Sequence, residues 1–292
     1  MSVTALLLVL FAAVCHATWN IVAHGVSRIG VPFLWWGAVA SSVLWLPVVP
    51  LAGGIGAATL PDFLLAVAVS AALHCAYMLV LQKGYASGRL STVYATARGT
   101  GPTITVLVAV LVLGERPSAS ALVGVAAIIA SVVAIGLIDR PAATPHLTTG
   151  RRRMDPGIAW GLVTGVAIAI YTIWDAHAVR ELEVAPVAFM VGCTVGEILL
   201  LSPMLGRRWR ELGGVARTHW RRLLVFGVLS PLSYILVLVA ITLAPVALVA
   251  PVREVSVVLV SMFGALVLRE GRAGWRVGAS VVVVAGIVLM AS

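Results

Sequence analysis

The chain has 292 residues, of which 61% are hydrophobic and only 11% charged, with a mean hydropathy of +1.08; an average soluble domain is about 45–50% apolar and about 25% charged. That composition excludes water as the main solvent and leaves little sequence for an extramembrane domain. The formal charge of +9 does not point to nucleic acid, because the basic residues fall in short polar joints, as membrane-flanking arginines do.

Apolar runs of about 20 residues, the length that a hydrocarbon core about 30 Å thick demands, recur from end to end. The first, 4–24, has no basic leader and continues through His16, Trp19 and Asn20 without a small-residue cleavage site, so it reads as a retained helix rather than a signal peptide. The next runs are 31–52, 62–83 with His74 and Tyr77, 91–113 with Arg98, and 118–138. A polar linker, 139–156, separates these from 157–179 with Trp174 and Asp175, 186–205 with Glu197, 220–242 with Tyr234, 247–268 with Arg253 and Glu254, and 274–291. Gly and Pro punctuate the joints, as in Gly53-Gly54 and Gly114-Glu115-Arg116-Pro117. Cys15, Cys75 and Cys193 all fall inside apolar runs without metal or redox spacing and read as small buried hydrophobes.

Charge sets the expected orientation. If the joints alternate sides, one side carries Arg28, Lys83, Arg89, Arg140, Arg151, Arg152, Arg153, Arg207, Arg208, Arg210, Arg217, Arg221, Arg222, Arg269, Arg272 and Arg276, sixteen in all, and the other only Arg116 and Arg180. The basic side is expected to be cytoplasmic, with both termini outside, in a multi-pass protein of the cell membrane.

Arg98 and Arg253 are the remaining basic residues, and they lie 155 positions apart within apolar segments. The same interval separates Trp19 from Trp174, Asn20 from Asp175 and Glu115 from Glu270, and Gly124 and Gly278 follow after a one-residue slip. The chain therefore reads as an internal repeat of five helices. Five is odd, so the second copy enters the membrane from the opposite face. The expected fold is an all-α integral membrane protein of ten transmembrane helices in two inverted five-helix repeats, 1–138 and 157–292, joined by the basic cytoplasmic linker 139–156. Inverted repeats that meet at a midplane site are the architecture of many secondary transporters.

Intramembrane polar residues are the candidate site. An arginine at the bilayer centre costs about 2.5–3.5 kcal/mol on insertion scales, so Arg98 and Arg253 are expected to face protein. Their forked guanidinium groups suit a carboxylate or phosphate of a solute; the alternatives are snorkelling near a helix end or pairing with an internal acid. Gly99, Gly101 and Pro102 weaken the helix around Arg98, which membranes tolerate only beside protein or a cavity. Glu197, Asp175, Glu254, His16 and His74 are candidates for proton coupling, Glu197 foremost. Glu254, adjacent to Arg253 in sequence, is expected to face away from it and to neutralise Arg98 or another helix instead. Trp19, Tyr77, Trp174, Tyr234 and Asn20 are expected to line the solute path; for the tryptophans the alternative is an interfacial belt. Gly161/Gly165 and Gly192/Gly196 have the spacing that lets helices approach closely.

The chain lacks His-Glu-x-x-His, Gly-x-Ser-x-Gly, Walker and Gly-x-Gly-x-x-Gly motifs. No metal site or cofactor is expected, and the partners expected are a small-molecule solute, lipid and protons, not nucleic acid, with the protein a monomer or homodimer.

Two five-helix repeats, each with Leu-Gly-Glu or Leu-Arg-Glu after its fourth helix (Leu113-Gly114-Glu115 and Leu268-Arg269-Glu270), together with Ala97-Arg98-Gly99-Thr100-Gly101-Pro102 and Pro251-Val252-Arg253-Glu254-Val255-Ser256, resemble the EamA-like branch of the drug/metabolite transporter superfamily. The resemblance implies an exporter of amino acids or other metabolites, with a central cavity between the repeats and with Glu115 and Glu270 bracing joints. The second repeat departs from the pattern at Arg269 and Gly271. The alternative to a transporter is a lipid-linked solute flippase or a non-transporting accessory subunit.

Overall fold

The computed structural model describes residues 1–24, 26, 29–87, 90–138, 156–266 and 273–291. They are helical: α1 (Val3–His24), α2 (Val31–Trp45), α3 (Val48–Leu51), α4 (Leu60–Ser87), α5 (Leu90–Leu111), α6 (Ala119–Ile138), α7 (Pro156–Arg180), α8 (Pro186–Leu205), a 3-10 segment (Gly206–Glu211), α9 (Leu212–Leu243), α10 (Val246–Arg253), α11 (Val255–Leu266) and α12 (Ala273–Ala291). Among the described residues the sole β feature is an isolated bridge between Gly56 and Val184. Among the described residues, four stretches are long and apolar enough to cross a membrane: Val3–Val22, Leu60–Gly84, Pro156–Arg180 and Pro186–Leu243. Leu7, Leu64, Leu111, Leu199 and Val284 lie exposed on the outside of the bundle, which suits hydrocarbon rather than water.

Three departures from the expected runs have local causes. The run 31–52 is broken into α2 and α3, with turn geometry at Leu46 and Pro47. The run 247–268 is broken into α10 and α11: Pro251 has no N–H for the helical ladder, and the N–H of Glu254 closes a tight turn on the carbonyl of Pro251 at 3.0 Å. The run 220–242 starts earlier, at Leu212, but the backbone leaves helical geometry at His219 (φ −116°, ψ 16°), so a kink falls where the apolar run begins.

α5 packs along α7, α12 along α6, α1 along α9, α4 along α7 and α8, and α2 along α8 and α9, while α1 also packs on α10 and α11. Glycines set the closest approaches. A Cβ on Gly165 would stand 2.5 Å from Cβ of Thr100, one on Gly161 2.6 Å from Cβ of Thr96, one on Gly192 2.6 Å from Val67 and one on Gly196 2.6 Å from Ala71. Both glycine pairs named from spacing therefore sit at helix contacts, and Gly124 and Gly286 make a further one between α6 and α12. Cys15, Cys75 and Cys193 are free and buried, as expected from their apolar surroundings.

The joints gather at two ends of the bundle. At one, the N–H of Ala185 donates to the carbonyl of Ile55 at 3.2 Å. There too Arg180, at the end of α7, donates to Glu115 Oε1 at 2.8 Å, to the carbonyl of Ile241 at 2.7 Å and to that of Ala244. Glu115 in turn accepts from the N–H groups of Val246 and Ala247 at 2.8 and 2.9 Å, capping the first turn of α10, where donors lack intrahelical partners. Glu115 is thus a brace, as the resemblance implied. At the other end, Arg208 donates to the carbonyl of Ile29 at 2.9 Å. Glu270, with Arg28, Arg89, the basic residues of 139–155, Arg269 and Arg272, lies outside the described residues.

Candidate functional site

Two polar clusters occupy the interior of the apolar bundle. The first is built on Asp175 of α7, which is fully buried. Its carboxylate accepts from Ser70 Oγ at 2.6 Å and His74 Nε2 at 3.0 Å, both on α4, and from the hydroxyl of Tyr234 on α9. Because the carboxylate only accepts, His74 carries its proton on Nε2 here. The His74 ring lies 4.3 Å from that of Tyr171 and 5.5 Å from that of Tyr234, and Tyr77 and Tyr171 meet edge to face at 5.4 Å. Glu197 of α8 is half-buried, interacts electrostatically with both His74 and Asp175, and makes no hydrogen bond among the described residues.

The second cluster joins α1, α5 and the α10–α11 break. Arg98, buried on α5, places Nη1 3.2 Å from both Oε1 and Oε2 of the buried Glu254, and its Nη2 stands 3.2 Å from Nε2 of His16. A guanidinium has no acceptor, so this Nε2 of His16 is unprotonated, the opposite of His74. Arg253 is also buried, and its Nη2 lies 3.5 Å from Glu254 Oε1. The expectation that Glu254 cannot face Arg253 is therefore corrected: it assumed a continuous helix, whereas the break after Pro251 lets neighbouring side chains converge.

Pro102 cannot donate to the carbonyl of Arg98, four residues back. The hydroxyls of Thr103 and Thr105 donate to the carbonyls of Gly99 and Gly101 at 2.6 and 3.0 Å, tying up backbone acceptors beside the same arginine.

Other residues singled out from sequence fall around these clusters unequally. Trp19 stacks edge to face on His16 at 4.9 Å and on Phe226 at 5.1 Å, and its buried Nε1 has no hydrogen-bond partner among the described residues. Trp174, its counterpart 155 positions on, instead donates Nε1 to the carbonyl of Ala66 at 3.0 Å. Asn20 turns back on its own helix, donating to the carbonyl of His16 at 2.7 Å, whereas its counterpart Asp175 anchors a cluster. Ser70, Tyr171, Thr172 and Ser256 were not singled out. Among the described residues, Thr172 Oγ1, Ser256 Oγ and Arg253 Nε are buried without hydrogen-bond partners, and buried hydroxyls have no sequence signal of their own in an apolar helix. Among the described residues, no three His, Cys, Asp or Glu side chains are grouped to hold a metal ion.

A family model described as the EamA-like transporter family matches residues 155–292. No curated protein matches the chain significantly. A solved structure described only as the crystal structure of a protein is similar in fold, with TM-score 0.71 and 13% identity over 99% of this chain and 96% of that one. Residues 155–292, just under half of this apolar chain, thus match the EamA-like transporter family, which belongs to the drug/metabolite transporter superfamily.

Proposed function

We propose that the protein is a secondary transporter that exports a small organic solute by alternating access between two inverted halves, 1–138 and 157–292, coupled to protons. The observation that carries this reading is the burial of charged groups from both halves in one apolar interior: Arg98 and His16 with Glu254, and Ser70 and His74 with Asp175 and Tyr234. Burying charges is costly unless they are paired, and in a membrane protein such groups mark solute and ion paths.

Helix packing supports the two-fold reading. Exchanging the halves turns α1 on α9 into α7 on α4, and α5 on α7 into α10 and α11 on α1, while α2 on α8 and α6 on α12 map onto themselves; all of these contacts exist. Arg180 braces the joints at one end of the bundle and Arg208 those at the other, which supports the same reading.

In this mechanism the buried, unpartnered Nε of Arg253 and the indole Nε1 of Trp19 are donors for an oxyanion of the solute, and Arg98 is held by Glu254 as a fixed positive wall. Glu197, with no hydrogen bond to break, takes up and releases the coupling proton, and Asp175 and His74 relay its charge state to the two helices they join. Closure on one side and opening on the other follow from rocking one half against the other. The reading is tested by reconstituting the purified protein in vesicles and screening amino acids and other metabolites for efflux with and without a pH gradient. Efflux accelerated by the gradient supports it, and the absence of flux for every solute class counts against it.

A further inference from the structure

The joint between α8 and the kink of α9 carries features that solute transport does not use. Between 206 and 222 it holds six arginines and a single acid, Glu211. Arg208 occupies that acid through both oxygens, at 2.9 and 2.8 Å, and also reaches the carbonyl of Ile29. Arg207 and Arg210 are exposed and have no ion pair among the described residues.

Between them lies a recess of about 490 Å³ lined by Gly206, Arg207, Trp209 and Arg210. Its aromatic wall is fixed. Trp209, 47% exposed, stands edge to face on Trp35 at 5.5 Å; Trp35 donates Nε1 to Ser202 Oγ at 3.0 Å, and Trp36 donates to the carbonyl of Leu212 at 2.9 Å. Immediately before the recess, α8 exposes Leu199, Leu200 and Met204.

We propose that this recess seats the phosphate of an anionic phospholipid. Two arginine forks left without carboxylates match phosphate oxygens. A half-exposed tryptophan wall belongs at the level of headgroups, and the apolar side chains one to two turns up α8 provide the surface along which acyl chains run. A free phosphate would use the forks but not that apolar surface, and this selects the lipid. The inference rests on the membrane reading above but not on transport.

The experiment is thermal unfolding of the full chain in neutral detergent, titrated with phosphatidylglycerol, phosphatidylcholine or inorganic phosphate. Phosphatidylglycerol is expected to raise the midpoint by several degrees, and the other two to leave it in place. The Arg207→Gln/Arg210→Gln variant is expected to weaken the apparent phosphatidylglycerol affinity by about tenfold, the loss of two charge-assisted contacts. The Arg217→Gln/Arg222→Gln variant, which removes equal charge from the same joint, is expected to stay within about twofold. Should the first double variant not fold, each single replacement is measured against the same criteria. An equal shift with phosphatidylcholine or inorganic phosphate, or equal weakening in both double variants, overturns the proposal. Because the readout is binding, its failure leaves the transporter reading standing.

Discussion

Arg98 and Glu254 are 156 positions apart in sequence, yet Arg98 Nη1 stands 3.2 Å from both carboxylate oxygens of Glu254 in the interior of the bundle. Glu254 also faces Arg253 at 3.5 Å, so one acid serves two buried cations. Removing it takes a carboxylate away from both. Glu254→Ala is expected to cost about 3–5 kcal/mol, the range for breaking a buried pair from one side. The Arg98→Met/Glu254→Leu double variant is expected to lose less than the sum of the two single changes. A double-mutant cycle on thermal unfolding in detergent measures this, and additive losses would show that the pair is not coupled.

Glu197 makes no hydrogen bond among the described residues but shares its electrostatic surroundings with His74 and Asp175. Glu197→Gln is therefore expected to abolish gradient-driven flux in proteoliposomes while the unfolding free energy stays within about one kcal/mol of the parent, as substitutions away from packed or bonded features do. Unchanged flux would remove Glu197 from the coupling path.

Asp175 accepts three hydrogen bonds, and an amide cannot replace both of its oxygens as acceptors. Asp175→Asn is expected to destabilise by about 1–3 kcal/mol, leaving at least one buried donor unmet, and to stop flux. Tyr234→Phe removes one donor and is expected to cost less than Asp175→Asn. The reverse order would mean that the hydroxyl, not the carboxylate, organises the cluster.

Glu115 has a structural task. It binds Arg180 and caps two N–H groups of α10. Glu115→Ala is expected to cost about 2–4 kcal/mol, because charge-assisted bonds and an ion pair are lost together, with no change in solute affinity of the folded protein. Glu211→Ala, at an exposed pair with Arg208, is expected to leave the unfolding midpoint unchanged.

Much of this was legible in the residues because apolar runs of membrane-spanning length and a recurring sequence interval leave periodic marks. Apolar run lengths located the helices, and the interval of 155 that linked Arg98 to Arg253 led to the pair of residues flanking Glu254. What stayed hidden depended on where chains cross. Ser70 is one hydroxyl in an apolar helix until α4 lies against α7 and brings it 2.6 Å from Asp175. Trp19 and Trp174 are equivalent by interval, yet among the described residues only Trp174 finds a carbonyl within reach. The contact between Arg253 and Glu254 was missed because 247–268 was read as one continuous helix, whereas the run is divided between Arg253 and Val255.

The central claim is that the polar interior is a path reached from each side in turn. In a variant with Cys15, Cys75 and Cys193 replaced by alanine, Ser70→Cys and Ser256→Cys place thiols at the Asp175 cluster and beside Arg253. Reaction of these thiols in reconstituted vesicles with a membrane-impermeant reagent is the most direct measurement. The account predicts labelling of both positions whether the reagent is added outside or trapped inside. Protection of both positions from both sides would show a sealed structural core and contradict it.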